Sequence, residues 1–521
     1  MKAIKFQFIL FAIYFALPVF STAQNSTKKI ERPNIIIIIS DDHAYQAISA
    51  YGSKLMNTPN IDRIAKEGVR FDRAYVTNSI CGPSRAAILT GKYSHKNGFK
   101  DNESSVFNGN QDSFIKQLHN GGYQTAWIGK WHLESIPQGF DFWQILPGQG
   151  QYYNPDFNMM DGSKKRIEGY VTNVIENQSE DWLDKRDKTK PFCLVIGHKA
   201  THRVWLPDTT DLGRFDQVTF PLPHNFYDTY NGRDAAKVQD MNIAQTMLMG
   251  YDLKMFGSEI KESTDGNFSR MNIAQRNRID NYYKPIEARF NQEKLTGNAL
   301  TEWKFQRYIR DYLSTATSLD RNIGLTLDYL DRHNLTKNTV VIYLSDQGFY
   351  LGEHGWFDKR WIYEESFRTP MIMKYPGIIK PGQVSNHFVM NIDIAPTILD
   401  VAQIDAPKDL QGISMLPALK NKKDKGRQVM YYHYYENGEH SVSPHFGIRT
   451  KRFKLIRFYK RVSGWELYDL QKDPNEMDNK YGKKEYKAIA ARLFKEMIRQ
   501  VNKFEDMDAK KILEDKLNST K

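Results

Sequence analysis

The sequence predicts an α/β protein: a mostly parallel sheet sandwiched by helices, followed by a smaller C-terminal α+β domain built on an antiparallel sheet. Three observations predict it. Short apolar runs without polar alternation, headed by the β-branched Ile35 to Ile39, read as strands buried on both faces. Helical patterns lie between those runs, the order that places helices on both faces of a parallel sheet. Beyond Gly412 the pattern changes to short strands separated by turn residues.

At the start of the chain, Lys2 and Lys5 precede an apolar stretch from Phe6 to Phe20 and then Ser21-Thr22-Ala23. This is the charged, apolar, small-residue order of a secretory signal cleaved after Ala23. The stretch is short for a bilayer span of about 20 residues. No cysteine follows it to accept a lipid, and no other segment is apolar enough to span. The expectation is export, to the periplasm or the medium, with no stable membrane span.

After the strand Ile35–Ile39, helical patterns cover Asn60 to Gly68, Pro83 to Thr90 and Asp112 to Asn120, and strands cover Gly122 to Ile128 and Phe192 to Ile196. Residues 207–300 are polar, aromatic-rich and weakly patterned, and read as an insertion over the sheet. A long helix follows, about Trp303 to Asp331, then a strand at Thr339 to Leu344. Phe446 to Arg449, Phe453 to Phe458 and Trp465 to Tyr468 read as an antiparallel meander with Ser463-Gly464 at one turn. A charged helix, about Lys484 to Val501, and a solvated lysine-rich tail close the chain. The expected organisation is a signal over 1–23, a main domain over 24–425 carrying the 207–300 insertion, and a C-terminal subdomain over 426–521, with no internal repeat.

Composition excludes a disordered, collagen-like or repetitive fibrous protein: of 521 residues 40% are hydrophobic and 26% charged, with Gly 33 and Pro 20. Lys and Arg outnumber Asp and Glu by 73 to 61, a net charge of +12, and loss of the signal removes two lysines to leave +10. A positive surface suits an acidic ligand, but no basic arm suggests nucleic acid. Two cysteines, Cys81 and Cys193, cannot build a disulfide framework or a four-thiolate zinc site. Cys193 lies in the apolar run Pro191 to Ile196 and reads as a core thiol. Cys81 lies among Gly, Pro, Ser and Arg.

Each buried strand runs into a polar cluster at its C-terminal end: Ser40-Asp41-Asp42-His43, Gly129-Lys130-Trp131-His132, His198-Lys199-Ala200-Thr201-His202 and Ser345-Asp346-Gln347-Gly348. In open α/β sheets, ligands bind in the crevice at those ends. One such cluster is an ordinary turn; four converging clusters with carboxylates, lysines and histidines are a site. Asp41 and Asp42 alone suit a turn, but with Asp346 and Gln347 they supply the oxygen ligands that Ca2+ or Mg2+ prefers. In Cys81-Gly82-Pro83-Ser84-Arg85-Ala86-Ala87-Ile88-Leu89-Thr90-Gly91, Pro83 suits a first helical turn and Gly91 a stop. Cys81 then sits at a helix N-terminus, which attracts anions, and Arg85 returns to its face four residues later.

The string Cys81 to Gly91 resembles the sulfatase signature, Cys-x-Pro-Ser-Arg followed by a helix and Thr-Gly. The resemblance extends through Asp41-Asp42, Gly129 to His132, Ala200-Thr201-His202, Ser345 to Gly348 and Lys359 to Pro370. It covers nearly all of the mature chain and implies a formylglycine-dependent sulfatase of the alkaline phosphatase superfamily, similar to bacterial polysaccharide sulfatases. It implies that Cys81 is converted to formylglycine by a formylglycine-generating or anaerobic maturation enzyme, and that its hydrated aldehyde attacks sulfur. Arg85 would hold that hydrate. Asp41, Asp42, Asp346 and Gln347, with the modified Cys81, would bind Ca2+, with Mg2+ the alternative. Lys130 and Lys359 would bind sulfate oxygens, His132 would stabilise the modified residue, and His202 would protonate the departing sugar oxygen. Gln347 departs from the commoner Asn or His, keeping an oxygen ligand on a longer arm.

The chemistry suits the residue types. A sulfate ester is anionic, so attack needs a cation, lysines and an arginine to gather charge, and a poor alcohol leaving group needs a proton donor. A geminal diol has one oxygen to attack and a second to expel the bound sulfate; a thiol has none to spare. Among the neighbours, Arg203 and Trp205 are expected to meet substrate. His43, His95 and His354 suit either the pocket or ordinary hydrogen bonding, His198 and Lys199 flank the site, and Trp356, Trp361 and Tyr363 suit the core.

The expected substrate is a sulfated polysaccharide or its oligosaccharides, with an algal glycan such as ulvan or carrageenan placed ahead of a glycosaminoglycan. The rival readings are a phosphoester or phosphonate hydrolase of the same superfamily and a non-catalytic sulfated-glycan binder.

Overall fold

A computed structural model of the chain describes residues 32–256, 266–420 and 426–519. The expected signal, 1–23, lies outside them. Among the described residues the main sheet has ten strands, with Asn34–Ser40 near its centre. Thr339–Ser345 and Phe192–Gly197 flank that strand in parallel, and Gln124–Lys130 and Phe142–Leu146 continue the parallel set. Met371–Lys374 runs antiparallel beside Thr339–Ser345 and leads to Val69–Phe71 and Gln383–Ser385. The other edge is an antiparallel ribbon, Asp156–Met159 and Lys164–Arg166.

The central strand is apolar because both of its faces are covered. Ile36 and Ile38 join one core with Leu319 and Ile323 of the helix Gly297–Arg332. Ile35, Ile37 and Ile39 join the other with Ala86 of Cys81–Thr90, Leu118 of Phe114–Asn120 and Ile398 of Ile394–Ala402. The expected central strands are thus present. The strands Phe142–Leu146, Met371–Lys374 and Met430–Tyr434 were not read from the sequence: their few residues mix apolar and polar types without a clear run.

Residues 207–300 are less irregular than expected. Ile273–Glu293 is a 21-residue helix closed by a capping box between Asn272 and Gln275. Phe220, Phe268, Ile279 and Tyr283 from this region enter the same core as Ile36. The following helix begins at Gly297, earlier than Trp303.

The C-terminal sheet is an antiparallel meander of Met430–Tyr434, His445–Arg449, Phe453–Phe458 and Gly464–Asp469, covered by the helix Lys487–Phe504. The tail is not simply solvated: Met507–Ser519 is a further helix with Ala509 and Leu513 buried. Asp506 pins its start, accepting from the Ala509 amide at 3.0 Å, the Tyr431 hydroxyl at 2.7 Å and His433 Nδ1 at 2.7 Å. Among the described residues no helix is long and apolar enough to cross a membrane.

The parallel register aligns the strand ends that matter. Ile39 pairs with Leu344 and Gly197, and Gly129 pairs with Gly197. Gly129 sits at φ +102°, and a Cβ there would lie 2.1 Å from the Gly197 carbonyl oxygen, so only glycine lets these two ends close up before Lys130.

Candidate active site

The four strand-end clusters meet at the C-terminal ends of the central parallel strands. The Asp41 amide donates to the Ala200 carbonyl at 3.0 Å, and the Thr201 amide returns a bond to the Asp41 carbonyl at 2.6 Å, fixing the His202 loop against Asp41-Asp42. The Asp42 amide donates to Asp346 Oδ1 at 3.3 Å, and Tyr312 holds the Asp42 carbonyl at 2.7 Å. Asp42 adopts a left-handed φ of +61°, the kind of strained backbone that functional sites retain. Cys81 opens the buried helix Cys81–Thr90, which Gly91 stops at φ +66°. Gly82 is confined by Asn102 and Phe99, each 2.5 Å from where a Cβ would stand.

Cys81 Sγ lies 3.3 Å from Asp41 Oδ1, 3.2 Å from Lys359 Nζ and 3.7 Å from Gln347 Nε2. Lys359 donates to both oxygens of Asp42, while Lys130 donates to Asp41 and to Gln149. Arg85 Nε donates to Asp346 Oδ2 at 2.8 Å and Nη1 to the Lys130 carbonyl at 2.8 Å. The sequence-predicted Asp41, Asp42, Cys81, Arg85, Lys130, His132, Asp346, Gln347 and Lys359 are therefore brought together and buried. His202 is part-buried, with Nε2 3.9 Å from Asp42 Oδ2.

Burial pushes the Cys81 thiol up, and Asp41 adds to this despite Lys130 and Lys359. The unmodified thiol is therefore protonated near neutral pH and is a poor nucleophile. Burial pushes Asp42 and Asp346 up as well, and the neighbouring Asp41 charge adds to both. Burial also acts on Asp41, but Lys130, His202, Lys359 and Arg85 together hold it well below the usual carboxylate range. The protein side chains alone thus leave two of three clustered carboxylates short of positive charge.

A hard cation fits that deficit. Asp41, Asp42 and Asp346 each offer a carboxylate oxygen, all within 4.8 Å of one another. Gln347 Oε1 is buried without a hydrogen-bond partner, while its Nε2 donates to Asp42. Exchange of the two amide atoms presents an oxygen to the cluster, so Gln347 can be the fourth oxygen ligand.

His202 Nδ1 lies 2.6 Å from the Arg203 carbonyl, which can only accept. The Nδ1 proton is thereby committed, and Nε2 is the atom able to take up and release a proton. Burial pushes His202 well down, assisted by Lys130 and Lys359 against the pull of Asp41.

The structure overturns one expected substrate contact, Trp205, and shows what already engages the other, Arg203. Arg203 does not offer its guanidinium freely to substrate: it makes a two-pronged pair with Asp252 at 2.6 and 2.8 Å and lies over the Tyr251 and Phe357 rings. Trp205 is fully buried against Tyr308, Phe349 and Phe357 and is a core residue. His43 bonds the Tyr343 hydroxyl, and His354 pairs with Asp228. His95 bonds the Phe504 carbonyl at 2.8 Å and ties the C-terminal helices to the main domain. Trp356, Trp361 and Tyr363 stack in the core as expected.

Sequence reasoning missed a polar group flanking Lys359. Asp358 and Arg360 sit at φ +80° and +91°, unusual for non-glycine residues. Asp358 Oδ2 meets His440 Nε2 at 2.7 Å, and Arg360 pairs with Glu436 at 3.0 Å. Glu436 accepts from the Asn102 amide at 2.7 Å, and Asn102 accepts from the Gly82 amide at 3.2 Å, so the network reaches the Cys81 helix. Adjacency to Lys359 was the available signal for two of these residues; the others come from remote loops.

Carboxylates that could hold a cation, clustered with a buried cysteine and two ammonium groups, fit a hydrolase of anionic esters. A family model described as Sulfatase matches residues 33–404, and one described as N-sulphoglucosamine sulphohydrolase, C-terminal, matches residues 352–503. The chain belongs to the sulfatase family: it is a sulfuric ester hydrolase with the fold of the alkaline phosphatase superfamily. It is 47% identical over 506 residues to an N-acetylglucosamine-6-O-sulfatase of Bacteroides thetaiotaomicron, covering 95% of this chain and 90% of that protein. An ulvan-active sulfatase of Formosa agariphila is 26% identical over 500 residues, with 92% and 83% covered. A solved structure of a protein in complex with its substrate, D-glucosamine-2-N,6-O-disulfate, aligns with a TM-score of 0.89 at 48% identity, covering 92% of this chain and 99% of that one.

Proposed function

We propose that this sulfatase removes the 6-O-sulfate of a glucosamine unit in a glycosaminoglycan-derived saccharide. The observation that carries the reading is the 47% identity over 506 residues to a protein named for that activity. The 48% identity to a structure holding a 6-O-sulfated glucosamine supports it. This replaces the algal glycan expected from sequence, since the ulvan-active relative is only 26% identical.

In this reading Cys81, converted to formylglycine by a maturation enzyme, supplies the attacking oxygen, and a Ca2+ ion held by Asp41, Asp42, Asp346 and Gln347 supplies charge for it and for the sulfate. The buried, protonated state of the thiol supports the conversion, because the unmodified side chain has no anion to attack with. Lys130 and Lys359 then hold sulfate oxygens, their positive charges gathering the negative charge of the transferring group. His202, its Nδ1 fixed on the Arg203 carbonyl, takes up a proton on Nε2 when the bound sulfate brings negative charge beside it, and passes that proton to the departing sugar oxygen. The Asp358, Arg360 and His440 network beside Lys359 offers polar atoms to sugar hydroxyls; Asp358 Oδ1 and Arg360 Nε are buried without partners. The charged, apolar, small-residue order of residues 1–23 supports export, where such saccharides are met.

The test is sulfate release from glucosamine 6-O-sulfate and its N-acetyl and N-sulfo forms, beside the 3-O-sulfate isomer, ulvan and carrageenan oligosaccharides, and a 6-phosphate. The 6-O-sulfates should be turned over far faster than the rest. Comparable turnover of the algal oligosaccharides, or of the phosphate, would overturn the assignment.

A further inference from the structure

We propose that Gln149 is a positioning residue: it fixes His132 in the tautomer that carries its proton on Nδ1, and so keeps that N–H as a donor in the site. The inference rests on the proposed function, in which Lys130 holds a sulfate oxygen, and on the expected place of His132 beside the modified Cys81.

The argument follows from donors and acceptors. The Lys130 ammonium can only donate, so the Gln149 atom bonded to it is Oε1. Nε2 of the same amide is therefore the atom 3.2 Å from His132 Nε2. An amide nitrogen can only donate, so His132 Nε2 must accept, and the proton of the neutral ring is on Nδ1. Burial, and Lys130 next to it, hold the His132 ring well down in pKa and hence neutral. Nδ1 is buried and finds no partner among the described residues. Buried N–H donors are nearly always bonded, so this one is held for an acceptor that the described side chains do not supply.

The local chain is built to deliver the amide. Gln149 follows the strand Phe142–Leu146 and lies between Gly148 and Gly150, at φ +51° and +66°, which let the backbone turn on both sides. Its carbonyl accepts from Lys199 Nζ at 3.2 Å, anchoring the turn to the His198–His202 segment. With Asp41 and Gln149 each taking one N–H of Lys130, a single N–H of that ammonium is left for sulfate. Gln149 thus aims two donors at once.

The tautomer is read directly by ring-nitrogen NMR of histidine-labelled, metal-loaded protein, with the His132 signals assigned by their loss in His132→Asn. Wild type should show a protonated Nδ1 and an accepting Nε2. Gln149→Glu presents only acceptors and should move the proton to Nε2, while Gln149→Leu should lose the single tautomer. In Gln149→Leu, kcat for the sulfate ester should fall about 10- to 100-fold, as for other supports of site residues, with KM changing far less. A protonated Nε2 in wild type overturns the inference without needing any variant. So does an unchanged Nδ1–H in both variants, or a full kcat with the tautomer lost. Because the tautomer is read without turnover, the predicted NMR pattern in a protein releasing no sulfate would support this assignment and count against the proposed function instead.

Discussion

Lys359 Nζ lies 2.7 Å from both carboxylate oxygens of Asp42. The same ammonium reaches Cys81 Sγ at 3.2 Å, so it stands between a carboxylate for metal and the residue that begins the catalytic helix. In the protein alone, Lys359 is the cation paired with Asp42, and burial still holds that carboxyl up. On the proposed function, a cation that took over the Asp42 charge would leave the ammonium to bind sulfate. The two cations would then share one anion, and their competition is measurable.

Lys359→Met should therefore cost stability in a metal-dependent way. Without metal, removal of one partner strands a buried carboxylate, at about 3–5 kcal/mol. With saturating Ca2+ the gap from wild type should shrink. Denaturant unfolding in chelator and in Ca2+ checks this, and an equal loss in both conditions would count against a cation at Asp42.

Metal should stabilise wild type and not Asp346→Asn. A ligand that binds only the folded state adds about 2.7 kcal/mol at a hundred times its dissociation constant. Thermal unfolding across a Ca2+ titration should rise for wild type, stay flat for Asp346→Asn, and reverse on chelation along with turnover. A parallel rise in the variant would remove Asp346 from the site.

His202→Gln should separate leaving groups. If His202 Nε2 protonates the sugar oxygen, its loss should slow a sugar sulfate by about 10²–10⁴-fold. An aryl sulfate, whose phenolate departs without a proton, should suffer much less. Equal losses on both would mean that His202 does something other than proton donation.

One buried acid far from the site gives a signed pH prediction. Burial pushes the Glu176 carboxyl up to about 8 from an ordinary 4.5, with Thr326 opposing weakly. The Thr326 hydroxyl is 2.9 and 2.8 Å from the two carboxylate oxygens. The hydroxyl has a single proton to give to the two oxygens, so the carboxylate is weakly compensated and burial favours its protonated form. The folded state then holds the carboxyl proton more tightly than the unfolded state. The resulting stability is complete below about pH 4.5 and is lost as pH rises to about 8, at roughly 1.4 kcal/mol per pH unit. Glu176→Gln should match wild type at pH 4.5 and exceed it at pH 8.5 in denaturant unfolding. Identical pH slopes would show the carboxyl to be ionised in the fold.

The central strands and the ligand-bearing turns were legible because each is local. Ile35 to Ile39 is apolar on both faces, and Asp41-Asp42, Cys81 to Gly91 and Asp346-Gln347 are short strings whose chemistry travels with them. What was missed depends on tertiary context. Met371–Lys374 has four residues and is recognisable only beside Thr339–Ser345. Arg203 looked available because Asp252, its partner 49 residues on, is invisible from the local sequence. Trp205 faces the core because Tyr308, Phe349 and Phe357 come from distant elements to cover it. Glu436 and His440 come from the connection between Met430–Tyr434 and His445–Arg449, far along the chain from Lys359, where no motif marks them.

The chemical state of Cys81 tests the account most directly. Trypsin should release Ala74–Arg85, which contains Cys81 as its only cysteine. In protein from its own host that hydrolyses glucosamine 6-O-sulfate, mass spectrometry should show this peptide with the CH2–SH of Cys81 replaced by an aldehyde, open to capture by a hydrazine. The Cys81→Ser and Cys81→Ala proteins should fold and release no sulfate. A fully active preparation in which Cys81 is quantitatively an intact thiol would contradict the account.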